Sequence, residues 1–105
     1  MNLPTRGEVW LADCGLAAKV RPVVVISIPF KDTDRALITV VPHTTTVIGS
    51  PFEVQIPVHW LQKGAFNIQA TFPLPPPKFI RRLGALDVGQ LDLIEAALKH
   101  WEGLV

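Results

Sequence analysis

Residues 20–28 read VRPVVVISI, and six of the nine are the β-branched residues Val20, Val23, Val24, Val25, Ile26 and Ile28. Such side chains crowd the preceding turn of a helix and pack well on a pleated surface. The run hardly alternates, which predicts a central strand buried on both faces. Pro22 has no N–H, so it should mark the start of that strand.

The neighbouring segments extend the same reading. Upstream, Arg6 to Asp13 is a candidate strand in which Val9 and Leu11 alternate with Glu8 and Trp10, broken by Cys14-Gly15. Downstream, the polar turn Phe30 to Arg35 returns the chain into a third strand, Ala36 to Pro42. After the loop His43 to Pro51, the apolar Phe52, Val54, Ile56 and Val58 alternate with Glu53, Gln55 and Pro57, predicting a fourth, half-buried strand. Phe66, Ile68, Ala70 and Phe72 share one face of a fifth, with Asn67, Gln69 and Thr71 opposite. Pro73, Pro75, Pro76 and Pro77 then predict an extended link that leaves the sheet. A helical turn is expected over Lys78 to Leu83, ending at Gly84. A terminal helix follows, with Asp87 as N-cap, Gln90 completing a capping box, and Leu91, Ile94, Leu98 and Trp101 on its buried face. Gly103 sits where helices commonly end. The expected fold is mainly β (α+β), an antiparallel barrel of about five strands with a C-terminal helix, in one domain spanning residues 1–105.

Composition narrows the function classes. The 105 residues carry ten Lys plus Arg against nine Asp plus Glu, a net charge of +1, so bulk charge alone does not predict nucleic-acid binding. Any such affinity must come from a local groove. The single cysteine, Cys14, excludes an intrachain disulfide, and no Cys/His cluster has zinc-ligand spacing; neither metal nor cofactor is expected. No apolar stretch is long enough to span a bilayer, and residues 1–6 lack a signal-like h-region, so a cytoplasmic protein is the expectation.

Three pieces in this order, Arg6-Gly7-Glu8-Val9-Trp10, Arg21-Pro22-Val23-Val24-Val25-Ile26-Ser27 and Val41-Pro42-His43-Thr44-Thr45, resemble the MazF/PemK toxins of type II toxin-antitoxin systems. Phe52-Glu53-Val54, Gln69 and the Leu-rich terminal helix fall where that family has similar features. The resemblance implies an SH3-like barrel, a homodimer, metal-free sequence-selective cleavage of single-stranded RNA, and silencing by a cognate MazE-like antitoxin. It carries over Arg21 and Thr44 as catalytic residues facing one groove. A guanidinium keeps its charge and pairs with phosphate oxygens, so Arg21 suits the charge that accumulates on phosphorus when a ribose 2′-OH attacks it. Thr44 adds a hydroxyl donor, or is a turn threonine bonding its own backbone.

Neither residue is a good general base. Some members of the family carry an acid in the loop between the first two strands; here Cys14 to Val20 has none, and Lys19 is its sole charged side chain. Asp13, His43 and Glu53 are the candidates for acid-base work, although strand alternation points His43 away from Thr44. Lys19, Thr45, Gln69, Trp60, Phe30, Arg81 and Arg82 are candidates for RNA contact; Trp60 and Phe30, near turns, suit base stacking. Arg81 and Arg82 could equally complement a helix dipole and face solvent. Trp10, Phe52, Phe66 and Phe72 read as core. A gyrase poison on a related barrel, as in CcdB proteins, and a catalytically weakened RNA-binding homologue are the competing readings.

Overall fold

The computed structural model describes residues 2–15 and 19–104. Among the described residues seven strands are formed: β1 Glu8–Asp13, β2 Val20–Val25, β3 Ile38–Thr44, β4 Glu53–Val54, β5 Ala65–Asn67, β6 Phe72–Leu74 and β7 Phe79–Ala85, followed by the helix α1, Val88–Trp101. Every pairing is antiparallel, in the order β4-β5-β3-β2-β1-β7, with β6 also on β3. The mainly antiparallel α+β class is as expected, but the hydrogen-bonded path is open between β4 and β7 and does not close a barrel.

The run at Val23–Val25 is buried on both faces because two cores flank it. Val9, Val24, Val41, Phe66 and Ile68 pack with Ile94 of α1 on one side. Trp10, Val23, Val25, Val40, Leu74 and Phe79 pack on the other. A strand covered on both faces has no solvent side on which to place polar residues, which accounts for the missing alternation.

Several expectations are corrected. Pro22 is the third residue of β2, opposite Leu11, and does not open the strand. The fourth strand shrinks to Glu53–Val54: Ile56 is buried as the alternation requires, but Pro57 cannot donate to a ladder and β5 offers only three residues to pair with. The fifth strand is broken by a 3-10 turn at Ile68–Ala70, which lets β5 and β6 pair with different parts of β3 and sends Ile68 and Phe72 to opposite cores. The proline run does not leave the sheet. Pro73 lies within β6, a second 3-10 turn spans Pro76–Lys78, and the predicted helical turn is strand β7, which covers the edge of β1. An uncovered β1, buried on both faces, would be a sticky edge.

The helix forms as read. Asp87 Oδ1 accepts the Gln90 N–H at 2.8 Å, and Gln90 Oε1 accepts the Asp87 N–H at 3.0 Å, closing the capping box. At the far end Gly103 takes φ +73°, while the Leu104 N–H reaches Lys99 O at 2.9 Å and the Gly103 N–H reaches His100 O at 3.2 Å. That pattern satisfies carbonyls the last turn leaves open, and a glycine tolerates the left-handed geometry. Trp101 departs from its core reading: it is 46% exposed and rests on the Phe52 ring, 5.0 Å between centroids. Among the described residues no helix is long and apolar enough to cross a membrane.

Candidate active site

The ladder between β2 and β3 runs only from Val23 opposite Pro42 to Val25 opposite Val40. Pro22 and Pro42 have no N–H, so neither can donate a hydrogen bond to extend it. Arg21 and Thr44 lie just beyond its end, and the same register carried two residues further sets them opposite each other. Two hollows open here. The larger, about 530 Å³, is lined by Arg21, His43, Thr44, Trp60, Gln62 and Arg81 with apolar neighbours. The smaller, about 190 Å³, is lined by Arg21 and Thr44 again, with Cys14, Asn67, Ala70 and Phe72. Arg21 and Thr44 therefore form the rim between them. Among the described residues no Asp or Glu lines either hollow. Arg21 and Arg81 thus concentrate positive charge in this part of a nearly neutral chain.

The Thr44 hydroxyl accepts the Thr46 N–H at 3.1 Å and donates to Thr46 O at a long 3.4 Å. The acceptor side is occupied by its own turn. The donor side is held weakly, so the proton can swing to a phosphate oxygen at little cost. His43 is 4% exposed and stacks edge-on against Phe66, with ring centroids 5.1 Å apart. Burial, aided by the Arg21 charge, holds its imidazole below the ordinary histidine range, so it is neutral at pH 7. Cys14 is half-buried, and burial pushes its thiol up.

Of the acid-base candidates, only His43 lines a hollow. Asp13 lies outside both, accepting the Gly15 N–H at 3.0 Å with Lys78 Nζ 3.9 Å away. Glu53 organises the loop before β4: its carboxylate accepts N–H groups of Ile48 at 3.0 Å and Ser50 at 2.8 Å. The Ile48 N–H leads in holding it below the usual carboxylate range against the opposing effect of desolvation, and the Ser50 and Gly49 N–H groups add to the lowering. Lys19, at φ +55°, ties the β1–β2 loop through its backbone to Cys14 and Gly15; Leu16, Ala17 and Ala18 of that loop lie outside the described residues.

Among the proposed RNA contacts, Thr45, Trp60 and Arg81 line the larger hollow. Gln69 is exposed on the 3-10 turn and lines neither hollow; its neighbours Asn67 and Ala70 do. Phe30 is separate from the groove, packed against the second core beside Leu3, Ile28 and Ile38. Arg81 and Arg82 are not at a helix end. They lie in β7, where alternation divides them, Arg81 toward the groove and Arg82 onto Glu8 with Nε 2.9 Å from Oε2. Sequence reading missed Gln62 and Asn67, since neither polar residue has a local pattern to distinguish it from a solvated turn or strand face. Trp60 owes its place to Gly84, where a Cβ would sit 2.6 Å from the indole ring.

In fold the chain is similar to several solved structures of MazF proteins and endoribonucleases. It superposes on an endoribonuclease in complex with its cognate antitoxin from a mycobacterial species with a TM-score of 0.82, at 24% identity over 97% of each chain. For MazF from Deinococcus radiodurans the TM-score is 0.81 and the identity 24%, covering 98% of this chain and 99% of that one. Mycobacterium tuberculosis toxin MazF-mt6 gives 0.76 at 24%, covering 91% and 96%. No curated protein matches the chain. Residues 5–101 match the model of the PemK-like, MazF-like toxins of type II toxin-antitoxin systems, and the chain belongs to that family.

Proposed function

We propose that this toxin is a metal-independent endoribonuclease that cuts single-stranded RNA, mRNA among it, by attack of a ribose 2′-OH on the adjacent phosphate, with sequence selectivity. The observation that carries the reading is the Arg21–Thr44 rim between two hollows that no carboxylate lines. A phosphate laid on that rim meets a guanidinium whose hydrogen bonds strengthen as charge builds on its oxygens, the kind of preorganised stabilisation that contributes most to catalysis. The weakly held Thr44 hydroxyl supplies a further donor. His43 is the acid-base candidate that lines the groove: its neutral imidazole can accept the 2′-OH proton as the 2′-oxygen bonds to phosphorus, while the P–O5′ bond breaks and the departing 5′-oxygen takes a proton from solvent. Trp60, beside the same groove, offers a face for a base. The cognate partner in this reading is an acidic, flexible antitoxin that occupies the groove in place of RNA, and the working form is a cytoplasmic homodimer of single-domain chains. Exposed apolar residues such as Ile28, Ile48 and Leu93 support burial of some surface between subunits.

The deciding experiment incubates wild-type and Arg21→Ala protein with a long single-stranded RNA in excess EDTA and maps the new ends. Discrete cuts bearing 2′,3′-cyclic phosphates, reduced at least 100-fold in the variant, are expected, on the order of the loss seen when one oxyanion donor is removed. RNA bound but left intact would make this a binding module. Intact, unbound RNA with gyrase-dependent DNA breakage would make it a gyrase poison.

A further inference from the structure

A third hollow, about 400 Å³, lies on the far side of the turn that carries Trp60. Its floor is apolar, with Ile56 buried and Val58 and Leu61 half-buried, and its rim carries Gln55, His59 and Lys63, all exposed. Leu61 and Gln62 line both this hollow and the 530 Å³ groove, so the two adjoin across that pair. The connection is close on the other side as well. Gly64 lines the third hollow, and its backbone sits so tightly on β3 that a Cβ there would lie 2.1 Å from Thr44 O.

The chemistry of the wall selects among ligands. Lys63 is the hollow's ordinary cation, and among the described residues no Asp or Glu lines it, so the absence of carboxylates extends from the Arg21 rim to its far end. An apolar floor with a few convergent polar groups is the common lining of a small-molecule site and suits a planar heteroaromatic ring. Gln55 and Gln62 each present an amide donor and acceptor, the pair that reads a base edge. His59 offers a ring for stacking, and Lys63 a charge for the phosphate that follows.

We infer that this hollow is a subsite for a flanking nucleotide of the RNA, reached by a strand that passes from the Arg21–Thr44 rim over Leu61 and Gln62. The inference rests on the ribonuclease reading above and adds to it a place where selectivity beyond the cut site is exercised. Lys63 and Gln55 are its specificity-determining residues; they act on binding and touch no reacting atom.

The test uses the intact toxin and a ladder of single-stranded RNAs, each containing one mapped cut site with its central 2′-OH replaced by hydrogen, lengthened one nucleotide at a time on either side. In wild type one added nucleotide, on one side only, should tighten binding on the order of tenfold. Lys63→Ala and Gln55→Ala should each remove most of that gain, Lys63→Arg should keep it, and Lys99→Ala, on the exposed face of α1, should not alter it. Deep sequencing of cut ends should show base preference lost at that one position in Gln55→Ala. A ladder and a cut-site preference identical in wild type and both variants would overturn the subsite and leave the ribonuclease reading standing. Variants that weaken only an acidic peptide would assign the hollow to a protein partner and overturn it too. Wild-type protein that neither cuts nor binds the RNA would bring down both readings.

Discussion

Gly64→Ala should be the most damaging single methyl in this protein. The added Cβ would stand 2.1 Å from Thr44 O and 2.7 Å from His43 Cε1, whereas carbon and oxygen normally meet at about 3.3 Å or more. Something must therefore move by roughly 1 Å, and the nearest atom is backbone, not the end of a flexible side chain. The ladder that must give is short: β3 and β5 pair only at His43 opposite Phe66 and Thr44 opposite Ala65. Losing one or two of its hydrogen bonds costs about 0.5–1.5 kcal/mol each, and overpacking beside the His43–Phe66 contact adds about 1–3 kcal/mol. A loss of about 3 kcal/mol follows, or roughly 12 to 20 °C in melting temperature for a chain of this size. Thermal melts followed by far-ultraviolet circular dichroism measure it. Gly89→Ala is the matched control. Its Cβ would meet only Asp87 Oδ1 at an ordinary 3.5 Å, in the first turn of α1, so the same methyl should stabilise by a few tenths of a kcal/mol. A Gly64→Ala melt within about 2 °C of wild type would refute the close approach of Gly64 to β3, and with it the tie between the third hollow and the site.

The remaining predictions concern charge and capping. His43 is held below its ordinary value near 6.5, so the unfolded chain binds its proton first; stability is full above pH 6.5 and declines as pH falls through the window between the unfolded and folded values. Urea denaturation at a series of pH values should show that decline in wild type and a flatter profile in His43→Gln; equal slopes would remove His43 as its source. Asp87→Ala breaks the capping box and should cost about 1 kcal/mol by the same method, with a neutral result showing that the cap contributes nothing. Arg81→Ala should weaken RNA binding and lower the slope of log affinity against log salt by about 1, while Arg82→Ala, whose side chain is committed to Glu8 at the surface, should leave that slope alone and alter stability by less than about 1 kcal/mol. Equal effects on binding would contradict the division of the two arginines by strand alternation.

Local signals settled those parts of this protein in which a short pattern has one physical meaning. The β-branched Val23–Val25 could only be a strand covered on both faces, and Asp87 with Gln90 three residues later could only open a helix. The motifs that contain Arg21 and Thr44 single both out as candidates, and both residues line both hollows beside the short β2–β3 ladder. Tertiary structure alone decided what depends on a partner distant in sequence. Lys78 to Leu83 reads as a helical turn by itself, yet the unpaired edge of β1 draws Phe79–Ala85 into a strand, and that strand separates Arg81 from Arg82. Phe66 to Phe72 alternates as one strand would, but β3 pairs with β5 at one end and β6 at the other, so the segment must turn between them. The hollows have the same origin. Gln62, Lys63 and Gly64 sit in an ordinary polar turn until β5 lays that turn against Thr44, because a cavity is formed by elements converging in space and leaves no period in the chain.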